Sequence, residues 1–122
     1  MPSTLNIRVV EPAITIVEIS GRLTLGNALT YAENSIKRLI GEGSRKIVID
    51  IAGLTSIDSA GVGMLISCGG EMEQAGGALR VSGAHGAVAK TFEIVHMSRI
   101  VALDADVDAA CRNLSGNLSA QA

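Results

Sequence analysis

The residues of this chain whose types and spacing point to chemistry lie in one stretch, Ile47-Val48-Ile49-Asp50-Ile51-Ala52-Gly53-Leu54-Thr55-Ser56-Ile57-Asp58-Ser59-Ala60-Gly61-Val62-Gly63. A β-branched run leads through a loop to Asp58 and Ser59, at the mouth of an apolar helix that opens with Gly61 and Gly63. A helix start exposes unpaired backbone N–H groups and the positive end of the macrodipole, so it favours an anion. A phosphoryl group on the Ser59 hydroxyl would bring about 1.5 to 2 negative charges to that point. The two glycines, lacking a Cβ, let another backbone approach closely. The same residues also have a plainer use. Asp58 or Ser59 can serve as the helix cap while the glycines pack tightly on a sheet. Because capping Ser and Asp are common, the residues by themselves favour that use.

Other chemistries find little support. Gly61-Val62-Gly63 begins like a dinucleotide fingerprint, but the third glycine would fall at Ile66, and no Gly-x-x-x-x-Gly-Lys-Ser/Thr loop exists. A hydrolase needs a serine held against a base. Ser59 does not lie in Gly-x-Ser-x-Gly, and the two histidines, His85 and His96, fall near predicted helix ends where a polar surface role is expected. Cys68 and Cys111 are isolated in sequence and read as buried or partly buried free thiols. Paired carboxylates and metal-ligand spacings do not stand out, and Glu71 and Glu73 fall on the solvated part of a helix. No catalytic residue, cofactor or metal is therefore expected. A formal charge of -2 with acids and bases interspersed offers no basic stripe for phosphates, and the only aromatics, Tyr31 and Phe92, offer no stacking platform. Nucleic acid is not an expected partner. Apolar runs such as 61–66 are far too short to span a bilayer, and the amino terminus lacks a basic region followed by a long apolar segment. A cytoplasmic chain without membrane contact is expected.

The elements that would position this stretch are read from periodicity. Leu5, Ile7 and Val9 alternate with Asn6 and Arg8, and the β-branched run 14–19 follows the break Glu11-Pro12-Ala13. These form a predicted hairpin, with Gly21 closing the second strand. Ala28, Leu29, Ala32, Ile36, Leu39 and Ile40 recur at helical spacing, with Glu33, Lys37 and Arg38 opposite. That helix is predicted from near Asn27, a favoured cap residue, to Gly41. The run 46–51 reads as a central strand covered on both faces. A second helix, 59–75, is ended by Gly76-Gly77 and followed by a strand at 78–81. Val88, Phe92 and Val95 mark a third helix, 101–103 a short strand, and 104–118 a last helix. Asp104 is expected to cap it, with Val107, Ala110, Cys111 and Leu114 turned inward. The 122 residues are enough for one compact domain with an aliphatic core, about 5–114, and small polar residues make 115–122 an expected frayed tail. The expected fold class is α/β: one domain with a mixed β-sheet, an opening antiparallel hairpin and about four α-helices.

This order of segments resembles the STAS domain of bacterial anti-sigma factor antagonists. The resemblance rests first on strand, hydrophobic loop, Asp-Ser-x-Gly-x-Gly and apolar helix. Gly21-Arg22-Leu23-Thr24 is similar to that family's Gly-Glu-Leu-Asp turn, and Gly76-Gly77-Ala78-Leu79-Arg80-Val81 to its Gly-Gly and following strand. Phe92-Glu93-Ile94-Val95-His96-Met97-Ser98 resembles its third helix and exit, so the likeness covers about 5–118. It implies a single STAS-like domain with Ser59 as the phosphorylation site. It further implies a partner surface that includes Thr24, Asn27, Asp58, Ser59, Ala60, Gly61 and Gly63. In such a system the unphosphorylated antagonist binds an anti-sigma factor that is also an ATP-dependent serine kinase and frees the sigma factor. Phosphorylation breaks the complex and a metal-dependent serine phosphatase restores it; adenine nucleotide and magnesium belong to the kinase. Two positions depart from the pattern: Thr24, where many relatives carry an acid that helps meet the kinase, and Ala60, where a second hydroxyl is common. STAS modules also serve lipid-transport complexes, stress-sensor assemblies and switches that do not end on a sigma factor. Ser59 argues for the phosphorylated branch, and the lack of attached transmembrane or sensor segments argues against transporter tails and large sensors.

Overall fold

The structure, a computed structural model, describes residues 3–10 and 13–121, with side chains described through Ser115. Five strands, β1 (Thr4–Val10), β2 (Ile14–Leu23), β3 (Lys46–Ile57), β4 (Ala78–Ser82) and β5 (Ala102–Asp104), form one sheet in the order β1-β2-β3-β4-β5. β1 and β2 are antiparallel, and every later neighbour is parallel. The helices are α1 (Asn27–Gly41), α2 (Ser59–Gln74), α3 (Gly86–Ile94) and α4 (Val107–Gln121), with a 3-10 turn at Met97–Arg99. The mixed α/β architecture, opening hairpin and four helices are those expected from periodicity. Glu11 and Pro12, assigned to the hairpin break, lie outside the described residues, as do the side chains beyond Ser115 on which the expected frayed end falls.

The topology fixes which face each helix covers. Successive parallel strands step across the sheet in one direction, and right-handed crossovers then place every connecting helix on the same side. One apolar cluster accordingly joins Leu29 and Ile36 of α1, Leu65 and Met72 of α2 and Phe92 of α3 to Val17, Ile49 and Val81 of the sheet. The opposite face is left to α4, whose Ala110 and Leu114 pack on Ile14, Ile16 and Val48. The core is aliphatic apart from Phe92, as the composition requires. Both cysteines are free thiols. Cys68 is buried, which pushes its thiol up to about 12, and Cys111 is half-buried.

Four local expectations are corrected. The stretch expected to be a loop after 51 continues β3 through Ile57, because Gly53, Leu54, Ser56 and Ile57 keep pairing with Ser20, Gly21, Arg22 and Leu23. Gly21 does not close β2. It sits inside the strand at φ +90°, where the register shifts, and a bulge there needs the left-handed conformation glycine adopts freely. Asp104 does not cap the last helix. It belongs to β5 and takes Arg80 Nε at 2.6 Å, while the Ala109 amide bonds Asp106 Oδ1 at 2.8 Å. Val95 lies past the end of α3 and is exposed, so it is no part of an inward helical face.

The Arg80–Asp104 pair braces the sheet to its back helix. The Asp104 side chain is 4% exposed, and it also accepts from Asn113 Nδ2 of α4 at 2.6 Å. One carboxylate thus joins β4, β5 and α4. A charge so little exposed is tolerated only with partners of this kind.

Candidate functional site at the start of α2

The β2–β3 register ends with Leu23 opposite Ile57. The segments leaving the two strands, residues 24–26 and Asp58-Ser59, therefore emerge side by side. Asp58 is extended, with φ -113° and ψ -176°, and caps α2. Its Oδ1 accepts from the Gly61 amide at 2.9 Å and its Oδ2 from the Leu25 amide, also at 2.9 Å. Its own amide faces the Leu23 carbonyl at 3.4 Å. One carboxylate thus satisfies an orphan donor of the helix and pins the β2–α1 loop against the helix start. The Leu25 amide, then the Gly61 amide, hold the Asp58 carboxyl below the ordinary aspartate value against the opposing effect of burial.

Gly61 is required by this closeness. A Cβ there would overlap the Leu23 carbonyl oxygen and lie 2.6 Å from Ile57 Cγ1. Gly63 is different: it is exposed, and a Cβ on it would meet nothing within 4 Å. The fold therefore explains the first glycine and leaves the second free. The capping question that the residues left open is decided for Asp58, and the exposed Ser59 stands outside the cap as the first helical residue.

Thr24, Asn27, Asp58, Ser59, Ala60, Gly61 and Gly63 are brought to one corner of the molecule. Thr24, Asp58 and Ala60 are half-buried, Asn27, Ser59 and Gly63 exposed, and Gly61 buried. Asn27 is the first residue of α1, not its cap; Gly26 stands before it and α1 has no side-chain cap bond. The residue that sequence reasoning missed is Leu25, which donates the loop's amide and leaves its own side chain 81% exposed. Nothing in the local pattern marked it, because Leu25 keeps step with Leu23 at strand spacing and with Ala28, Leu29 and Ala32 at helical spacing.

The neighbouring hydroxyls are less available. Thr55 Oγ1 donates to the Gly21 carbonyl at 3.0 Å, and the Ser56 hydroxyl is buried without a partner. Ser67 is exposed, but two turns into the helix. His85 precedes α3 with Nε2 2.8 Å from the Ala52 carbonyl, and His96 precedes the 3-10 turn in the left-handed region. Among the described residues no group of three or more His, Cys, Asp or Glu is placed to hold a metal ion, and no helix is long and apolar enough to cross a membrane.

Comparison with known proteins places the chain in a family. The anti-sigma factor antagonist from Mycobacterium paratuberculosis superposes with a TM-score of 0.82 at 17% identity, over 93% of this chain and 95% of that one. The anti-sigma factor antagonist SpoIIAA in its unphosphorylated form gives 0.72 at 20% identity, over 93% and 99%. The Bacillus SpoIIAA in its phosphorylated form gives 0.67 at 19% identity, over 89% and 98%. At such identities the likeness establishes the fold. No curated protein sequence matches the chain. The STAS domain model matches residues 5–110, nearly the whole of the sheet and its helices, and the chain belongs to the STAS domain family.

Proposed function

We propose that this single-domain protein is a cytoplasmic anti-sigma factor antagonist, switched by phosphorylation of Ser59. Unphosphorylated, it binds an anti-sigma factor with serine-kinase activity and so releases a sigma factor. A serine phosphatase acting on phosphorylated Ser59 resets it. The chain works by binding and carries out no turnover of its own.

The observation that carries this reading is the exposed Ser59 hydroxyl outside the helix cap, beside a loop that the Asp58 carboxylate pins in place. A kinase needs an accessible hydroxyl on a surface it can dock against; the Ser56 hydroxyl is buried, and that of Thr55 is engaged with the Gly21 carbonyl. The Asp58 carboxylate already takes the Gly61 amide and offsets part of the positive helix end. A phosphate of about 1.5 to 2 negative charges next to it therefore presents unbalanced charge to whatever packs there. Desolvating that charge and bringing it against acidic groups both oppose docking. The fold can remain as it is while the interface is lost. SpoIIAA, of the same fold, is an anti-sigma factor antagonist known in unphosphorylated and phosphorylated forms, which supports the assignment.

The test is incubation with the cognate kinase and ATP, with the phosphate located by mass spectrometry and binding followed by calorimetry. Ser59→Ala should bind and stay bound in the presence of ATP. Ser59→Asp should bind poorly, although one carboxylate carries only part of a phosphate's charge. Phosphate found mainly on Thr55, Ser56 or Ser67, or full binding by Ser59→Asp, would overturn the assignment.

A further inference from the structure

The two edges of the sheet differ in kind. β5 is three residues long and so offers little to a passing strand. β1 runs for seven residues in unbroken one-to-one register with β2, and its outer edge pairs with no strand among the described residues. Monomeric proteins guard such an edge with lysine, proline, a bulge or shortness. β1 contains no lysine, proline or bulge. Its one charge, Arg8, lies 3.7 Å from Glu18 of the neighbouring strand, an exposed pair. Leu5, Ile7 and Val9 share one face; Ile7 is 44% and Val9 70% exposed. Tyr31 of α1, 63% exposed, lines a groove of about 270 Å3 together with Thr4 and Leu5 and continues the apolar surface past the strand.

We propose that β1 is a pairing edge for a second copy of this chain, joined antiparallel across a two-fold axis through Ile7. Ile7 is the middle residue of the strand, so this register alone uses all seven positions. It sets Leu5 against the partner's Val9, a favourable apolar cross-strand pair, and Arg8 against Asn6, with no like charges opposed. Centring on Arg8 would put two guanidinium groups face to face, and centring on Asn6 would leave Val9 unpaired. The resulting sheet would have ten strands continuous across the axis. The contact is about 24 Å long and one side chain deep. Even with the Tyr31 flank it falls near or below the roughly 1,200 Å2 of the smaller stable complexes, so the dimer is a reversible one. α1 lies between this edge and α2, so both copies keep Ser59 exposed. A dimer would therefore present two switch sites at once, and the inference stands whether or not Ser59 is phosphorylated.

The experiment is sedimentation of the purified full chain from micromolar to millimolar concentration, with Val9→Lys alongside. The parent should show a reversible monomer–dimer equilibrium. Val9→Lys should shift the midpoint at least tenfold toward monomer with an unchanged circular dichroism spectrum. In a Cys111→Ser background, Ile7→Cys should cross-link through a short bis-maleimide. Thr4→Cys, whose two copies would sit about 20 Å apart, should not. A parent monomeric throughout would overturn the proposal and leave the edge to a strand of some other protein. So would open-ended oligomers, a dimer indifferent to Val9→Lys, or equal cross-linking at Thr4 and Ile7.

Discussion

Replacing Gly63 by alanine separates what the fold needs from what a partner needs. Glycine inside a helix costs about 0.5 to 1 kcal/mol relative to alanine, because the unfolded chain loses more freedom on folding. Gly63 lies in the body of α2, is exposed, and has open space where a Cβ would go. Nothing within the chain opposes the gain, so Gly63→Ala should raise stability by about 1 kcal/mol and the melting temperature by about 4 °C. Gly61→Ala is the internal contrast. Its Cβ would overlap the Leu23 carbonyl oxygen, which is backbone, and relieving that overlap should cost about 2 kcal/mol or more. Both changes add one methyl group to the same helix, so only their surroundings distinguish them. Urea denaturation of the two variants and the parent gives the difference directly. The proposed kinase complex would supply a second reading: if its surface comes close to α2, the stabilised Gly63→Ala protein should bind more weakly. A fall in stability for Gly63→Ala comparable with that for Gly61→Ala would refute the reasoning, since the space around Gly63 would not be open.

The remaining predictions are shorter. A carbon-detected titration should give Asp58 a midpoint below the ordinary aspartate value of about 4, with the Leu25 and Gly61 amides shifting in step. Because the folded value is the lower one, the cap contributes in full above the ordinary value and fades as pH falls through the depressed one; a midpoint at or above the ordinary value would contradict the two bonds drawn here. Thr24→Arg should weaken kinase binding with an unchanged melting curve, and unaltered affinity would remove the β2–α1 loop from the interface. Arg80→Met should cost about 3 kcal/mol by urea denaturation, because the little-exposed Asp104 side chain would lose its ion-pair partner and be left with only the Asn113 amide beside it. A loss well under 1 kcal/mol would mean that the carboxylate is better solvated than its 4% exposure indicates.

Much of this was legible from residue order, for reasons that can be named. α1 announces itself because Leu29, Ala32, Ile36 and Ile40 are all buried on one stripe, and the helix ends at Gly41 as read. The second half of β3 was hidden because it has neighbours on only one side. β4 pairs with residues 46–50 and stops, so residues 52–57 show neither a buried run nor alternation. The true cap of α4 region, Asp106, lost to Asp104 because both are aspartates two residues apart. Only the strand pairing of Ser82 with Asp104 tells them apart. At the candidate site the acid, the hydroxyl and the glycines could be read in order. Asp58 rather than Ser59 caps the helix through a bond to Gly61 only three residues on, which either residue type could make; that Leu25 is tied there depends on a bond spanning 33 residues that no local pattern carries.

The division of labour between the two faces of the sheet also bears on how the chain is made. The corner that holds Ser59 is built from β2, α1, β3 and the start of α2, neighbours in sequence that can close as soon as they leave the ribosome. The back of the sheet has no such local cover. Ile14, Ile16 and Val48 wait for Ala110 and Leu114, which are translated after the whole of the sheet. Until α4 arrives, a nascent chain with a finished Ser59 corner still shows bare aliphatic surface behind it, which is the condition under which incomplete domains aggregate or recruit chaperones. A ribosome stalled before α4 should therefore hold a chain that is protected around Ser59 yet sticky on its reverse side.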